Sequence, residues 1–231
     1  MSFYYLLVGH LLGDFTFQTN KIADKKNKEI KWTLLHIVIV TLCIMVMGVG
    51  FGPKIILVAI LNGIIHFLVD FKKIDLKNVG PTIRSLYFIG DQLVHIAILF
   101  GLSFMLTEPI LELDSKVIFA TIIVLFTISF SSVAIQFLLK IVEQLKDQSF
   151  YVNNEKILGN VNRFCIFMSL YMSRRYSYLF IFVIPVILIV FWKYYRTELK
   201  SWMTFRYFIA KMLFELLFAS LGFFAFVKLV S

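Results

Sequence analysis

His10-Leu11-Leu12-Gly13-Asp14-Phe15 returns further along the chain as His66-Phe67-Leu68-Val69-Asp70-Phe71. Each copy lies in a long apolar run, and each is followed by one more histidine, His36 after the first and His95 after the second. These are all four histidines of the chain. Membrane spans shun ionisable groups, so histidines gathered in apolar runs and mostly beside aspartates read as a built site.

The surrounding composition sets the class. Of the 231 residues 60% are hydrophobic and 16% charged, and the mean hydropathy is +0.86. Soluble chains are about half apolar and about a quarter charged, so this is an integral, all-α membrane protein. The first apolar run lacks a basic leader and a small-residue cleavage site, and it carries its own His–Asp pair; it is not read as a signal peptide. Cys43 and Cys165 both fall in apolar stretches and read as buried thiols. The net charge of +9 sits between the apolar runs, as juxtamembrane charge does, which argues against nucleic acid as a partner. There is no P-loop, no G-x-G-x-x-G, no G-x-S-x-G and no zinc-finger spacing.

A helix needs about 20 apolar residues to cross a bilayer. Eight stretches are candidates: 3–20, 32–51, 53–71, 85–106, 116–140, 157–172, 177–194 and 205–229. The sixth is short and opens on Asn160, Asn162 and Arg163, which suits a tilted or re-entrant element. Gly52-Pro53 makes a tight connection, and Pro185 is expected to kink the seventh stretch. Positive charge marks the cytoplasmic loops. It gathers in the first (Lys21, Lys25, Lys26, Lys28, Lys31), third (Lys72, Lys73, Lys77, Arg84), fifth (Lys140, Lys146, Lys156) and seventh (Lys193, Arg196, Lys200, Arg206). The fourth is acidic, with Glu108, Glu112 and Asp114. Odd loops then face the cytoplasm and both termini face outward; Arg174-Arg175 in the sixth loop is the exception. With this topology, residues 1–50 and 53–106 read as two similar hairpins, an internal repeat about an axis along the membrane normal. The expected division is 1–108, a four-span bundle carrying the site, and 109–231, further spans that serve as scaffold or bind a partner.

Residues four apart share a helix face. His10, Asp14 and Gln18 make one stripe, Asn62, His66 and Asp70 a second, and Tyr87, Asp91 and His95 a third that runs the opposite way. His36 stands one turn from Thr33. At about 1.5 Å per residue, His36 and His66 lie about 8–9 Å from the nearest cytoplasmic lysine or arginine, and His10 and His95 about 16 Å. In each pair the aspartate is nearer the cytoplasm and the histidine deeper. Opposite residue order on an antiparallel helix is what one shared site requires.

Three chemistries fit the seven residues. The first is a metal site: imidazole with carboxylate suits Zn, Mn or Fe, and facing helices of a bundle are a usual place to build one. His10, Asp14, His36, His66, Asp70, Asp91 and His95 exceed one tetrahedral shell, which allows two ions, or one ion with hydrogen-bonded outer partners. Water activated there would serve hydrolysis, with Asp14, Asp70 or Asp91 as general base. The second is a proton or ion pathway, making the chain a transporter or channel. The third is interhelical hydrogen bonding in a non-catalytic membrane subunit. The outer halves of the second and fourth spans look sealed by apolar residues, which suits a site open to one side better than a pore. Elsewhere, Lys211 and Glu215 form an i,i+4 pair, and Thr121, Thr127, Ser129, Ser131, Ser132 and Gln136 read as small or polar packing residues. The basic first loop would attract anionic headgroups, so the expected partners are the lipid bilayer, a lipid substrate, and a membrane or cytoplasmic protein.

The opening motif with Gln18, then His36, His66-Phe67-Leu68-Val69-Asp70 and Asp91-Gln92-Leu93-Val94-His95, resembles an uncharacterised bacterial membrane family, domain of unknown function 3307. The resemblance covers about residues 3–100. It implies a multispanning protein of the bacterial cytoplasmic membrane and no established activity. Gly159-Asn160-Val161-Asn162-Arg163 looks like that family's G-x-x-E-R element, with Asn162 where the glutamate stands. The His/Asp-rich spans are also similar in style to membrane-bound metal-dependent hydrolases, a likeness that carries over no individual residue.

Overall fold

The computed structural model describes residues 1–26, 28–71, 80–143, 153–198 and 205–230. Lys72, Lys73, Lys77, Lys146 and Lys200 lie outside them. The described residues contain ten α-helices and no strand. They are α1 (Ser2–Leu11), α2 (Asn20–Lys25), α3 (Ile30–Met47), α4 (Lys54–Phe71), α5 (Pro81–Ser103), α6 (Ser115–Leu125), α7 (Ser131–Glu143), α8 (Asn153–Arg175), α9 (Val183–Glu198) and α10 (Phe205–Leu229). In hydrocarbon every backbone N–H and C=O must be met within the chain, which a continuous helix does by itself.

Among the described residues five helical stretches are long and apolar enough to cross a membrane: Ile30–Met47, Lys54–Phe71, Thr82–Ser103, Ser115–Val142 and Phe205–Leu229. The other three expected spans fall short for visible reasons. The first breaks after ten α-helical residues into a π-helical turn, Leu12–Thr16. The sixth lies in α8, whose Asn160, Asn162, Arg163, Arg174 and Arg175 lower its hydropathy. The seventh divides into a 3-10 turn, Tyr178–Phe182, and the 16-residue α9. Large apolar side chains such as Leu34, Val38, Leu42, Val46, Leu57, Ile64 and Leu68 are exposed along α3 and α4. This outward apolar surface suits a lipid environment.

The chain forms two compact units, Met1–Val79 with Leu86–Leu125, and Gly80–Ser85 with Phe126–Leu229. In the first, α3 packs against both α1 and α4, and α6 against α1. Small residues set these approaches. A Cβ on Gly9 would stand 2.7 Å from the Ile44 Cα, one on Gly13 2.7 Å from the Val40 Cα, and one on Gly63 2.6 Å from the Thr41 Oγ1. Gly9 and Gly13 thus form a G-x-x-x-G contact that brings α1 onto α3 backbone to backbone. α5 meets α1 through the Phe3–Phe100 ring contact and the Ser2 Oγ bond to the Ser103 carbonyl, 3.2 Å. Gly52, at φ +66°, turns the chain from α3 into α4, a conformation that glycine adopts without Cβ strain.

In the second unit α10 packs against α7 and α8. Its core includes Ile135, Leu139 and Tyr207, then Phe191, Phe208 and Met212, and Ile166, Ile184 and Ala219. A second π-helical turn, Phe126–Phe130, precedes α7.

Candidate functional site

All seven residues singled out from the sequence meet within the first unit. His10 comes from the last turn of α1 and Asp14 from the π-helical turn. The π-turn ends the first stripe early: Gln18 follows it rather than continuing the helix face. His36 comes from α3, His66 and Asp70 from α4, and Asp91 and His95 from α5. The glycine contacts of α1 and α4 with α3 lie within two turns of these side chains, so close backbone packing is what lets the four helices share one centre.

The geometry turns on two carboxylates. The Asp14 Oδ1 faces His10 Nδ1 at 3.6 Å, His36 Nε2 at 3.6 Å and His66 Nε2 at 3.8 Å. The Asp70 Oδ2 faces His36 Nε2 and His66 Nε2, each at 3.7 Å, and its Oδ1 faces His95 Nε2 at 3.9 Å. His36 and His66 therefore stand between both aspartates. His95 Nδ1 lies 3.9 Å from the Asp91 Oδ1. The His66 and His95 ring centres are 4.2 Å apart, and His10 stacks on His95 at 5.5 Å.

These contacts exceed hydrogen-bond length, which ends near 3.2 Å for N–H···O. The Asp14 Oδ1 and both His66 ring nitrogens make no hydrogen bond among the described residues. The side chains are nevertheless sealed: Asp14 is 6% exposed and His66 1%. Burying such groups unmet is costly. Ligands about 2.0–2.2 Å from one tetrahedral ion stand about 3.4 Å from one another, close to the spacing here. Three sets of nitrogen and oxygen atoms are near enough to hold an ion: His10, Asp14 and His66; His36, His66 and Asp70; and Asp70, Asp91 and His95. The buried His/Asp groups can therefore hold a metal ion.

Outer contacts orient the rings. His95 Nδ1 lies 2.7 Å from the Asp91 carbonyl oxygen. A carbonyl only accepts, so Nδ1 carries a proton, and the ring turns its Nε2 toward Asp70. Gln92 donates to the Asp91 Oδ2 at 3.3 Å. Asp91 is the least buried of the three aspartates, at 10% side-chain exposure.

Lys26 is a member that sequence reasoning missed. It follows α2, read only as part of a basic loop, and its Nζ reaches 3.3 Å from the Asp70 Oδ2 and 3.1 Å from the His36 Nε2. Its side chain is only 11% exposed. Local chemistry fixes it there. The Thr19 Oγ1 caps α2 by accepting from the Ile22 N–H at 3.3 Å, Ile22 is buried, and the Thr33 hydroxyl donates to the Lys26 carbonyl. Beyond the histidines the unit is filled by apolar side chains, including Leu6, Val40, Ile44, Val58, Ala59 and Leu99.

The second unit holds a different polar cluster. Arg163, 1% exposed, donates its Nε–H to the Thr127 carbonyl at 3.0 Å. Its Nη2 donates to the Ile128 carbonyl at 3.0 Å and to the Asn160 Oδ1 at 2.7 Å. The π-helical turn supplies those two carbonyls. Glu215 pairs with Lys211 at 3.2 Å and with Arg163 at 3.7 Å, and accepts from the Asn162 amide. The expected Lys211–Glu215 pair thus forms and is joined by Arg163. Where the resemblance left Asn162 without a carboxylate, Glu215 brings one from α10.

An all-helical membrane protein with a buried His/Asp centre is the class that fold and site define. Within that class the chain belongs to DUF3307, a family of proteins of unknown function, whose model matches residues 2–118. That match spans every residue of the centre. No curated protein and no solved structure matches the chain.

Proposed function

We propose that the protein is a metal-dependent hydrolase of a lipid or phosphorylated lipid, acting near the cytoplasmic leaflet. The observation that carries this reading is the Asp14 Oδ1, buried among His10, His36 and His66 nitrogens at 3.6–3.8 Å and, among the described residues, with no hydrogen bond of its own. A hydrogen-bonded structural contact would close those gaps, whereas shared coordination needs them. His10, Asp14, His36, His66, Asp70, Asp91 and His95 supply one or two Zn, Mn or Fe ions with ligands or outer partners. An ion so held lowers the pKa of water and polarises an ester or phosphoester oxygen. Asp91, the most exposed carboxylate, accepts the proton from attacking water as general base, and the apolar packing beyond the histidines keeps the chemistry open to one side.

The surroundings suit a lipid substrate. The Lys21 and Lys25 ammonium groups lie 5.0 and 5.6 Å from the centre of the Trp32 ring. Basic residues with an interfacial tryptophan attract anionic headgroups. The reading includes the finer topology: eight membrane elements in the bacterial cytoplasmic membrane, both termini outside, with residues 1–50 and 53–106 as repeated hairpins that bring like motifs to one centre.

The test uses purified protein in proteoliposomes containing phosphatidic acid or neutral ester lipid, supplied with Zn, Mn or Fe. Release of phosphate or fatty acid is expected, and Asp14→Asn/Asp70→Asn should slow it at least about 100-fold. Hydrolysis retained in that variant would overturn the assignment. Metal-independent ion flux without hydrolysis would favour the transporter reading instead.

A further inference from the structure

Lys26 occupies ground that the proposed metal needs. Its Nζ lies 3.1 Å from the His36 Nε2 and 3.3 Å from the Asp70 Oδ2. Both residues belong to one of the sets able to hold an ion, with His66. An ammonium only donates, so the His36 Nε2 presents its lone pair to Lys26. A metal bound through that lone pair and an ammonium hydrogen-bonded to it exclude one another.

The anchoring of the segment makes this exclusion a switch. The Thr33 hydroxyl bonds the Lys26 carbonyl, and buried Ile22 with the Thr19 cap fixes α2. The backbone stays while the four-carbon stem swings. A displaced ammonium would stay tethered to that fixed backbone, next in sequence to α2, which carries Lys21 and Lys25. There it is a point charge suited to an anionic oxygen.

We propose that Lys26 couples metal binding to the binding of a phosphate-type anion. Its ammonium holds the His36 and Asp70 atoms until a divalent ion displaces it, and then receives an anionic phosphate oxygen next to that ion. This rests on the metal-dependent reading above and adds the substrate class, a phosphomonoester or phosphodiester rather than a neutral ester. Linkage makes the effect reciprocal: the anion strengthens metal binding by the factor by which metal strengthens anion binding.

The experiment measures Zn and Mn affinity by calorimetry on the full chain in neutral phosphatidylcholine nanodiscs. Wild type is compared with Lys26→Met, which keeps the stem and the carbonyl that Thr33 uses, and with Lys26→Arg, which keeps the charge. Metal binding without anion should tighten about tenfold in Lys26→Met and not in Lys26→Arg. Inorganic phosphate, or phosphatidic acid in the nanodisc, should tighten metal binding in wild type and leave Lys26→Met unchanged. An effect of phosphatidic acid alone identifies a lipid headgroup, and an effect of inorganic phosphate alone identifies a soluble phosphate; either supports the coupling. Equal metal affinities in wild type and Lys26→Met, with no response to either anion, would overturn it while leaving the metal reading standing. No metal binding by any form would instead remove the reading on which the coupling rests.

Discussion

The two units each bury charge, and they do so in opposite ways. In the second unit the groups meet: Arg163 spends its donors on the Thr127 and Ile128 carbonyls and the Asn160 amide oxygen at 2.7–3.0 Å, and Lys211 stands 3.2 Å from Glu215. In the first unit the Asp14 and Asp70 oxygens face imidazole nitrogens at 3.6–3.9 Å. A network whose members reach hydrogen-bond distance holds helices together. One whose carboxylates and imidazoles converge and stop short of each other, with only Lys26 reaching in to 3.1–3.3 Å, is shaped for something else. The difference separates a joint from a receptor, although both are made of ionisable residues in apolar helices.

Three substitutions press on that contrast. The largest effect belongs to the joint. Arg163→Met removes the donor from two carbonyls and one partner from buried Glu215, and should cost about 3–5 kcal/mol of stability, read by denaturant titration in mixed micelles. A loss below about 1 kcal/mol would mean the cluster is not a joint. Next comes the packing that gathers the receptor. A Cβ on Gly13 would lie 2.7 Å from the Val40 Cα, with backbone that cannot swing aside. Gly13→Val should cost about 1–3 kcal/mol and weaken metal binding as α1 moves off α3; unchanged metal affinity would show that this approach does not set the site. The smallest stability effect belongs to the receptor itself. Asp14→Asn replaces a buried carboxylate whose Oδ1 makes no hydrogen bond among the described residues. It should alter the metal-free protein by less than about 1 kcal/mol while abolishing tight metal binding. A large loss of stability without metal would place Asp14 among the joints.

The centre was legible because its parts repeat at fixed helical spacing. Four histidines and three aspartates in apolar runs point to one another through period and depth, and the structure brings all seven together. What stayed hidden has physical causes. The π-helical turn at Leu12–Thr16 has no periodic signature, so Gln18 looked like the next step of a stripe that had already ended. Gly9 carries no signal beyond its four-residue spacing to Gly13, and the structure makes that spacing the contact with α3. Lys26 sat among five loop lysines, and only the Thr19 cap, buried Ile22 and the Thr33 bond select it. The Asn162–Glu215 contact joins residues far apart in sequence, which no local pattern encodes. The span count differed because a hydropathy run does not register a helix that breaks, as at Leu12 and between Phe182 and Val183; the sixth stretch already reads as a tilted or re-entrant element from its Asn160, Asn162 and Arg163.

The most direct test of the proposed metal centre is the protein's metal content. Mass spectrometry on detergent-purified protein, beside an Asp14→Asn/Asp70→Asn variant of verified fold, should find one or two transition-metal ions per chain in wild type and none retained in the variant. Wild-type protein that holds no ion even after reconstitution with Zn, Mn and Fe would contradict the account and return the seven residues to helix packing or proton transfer.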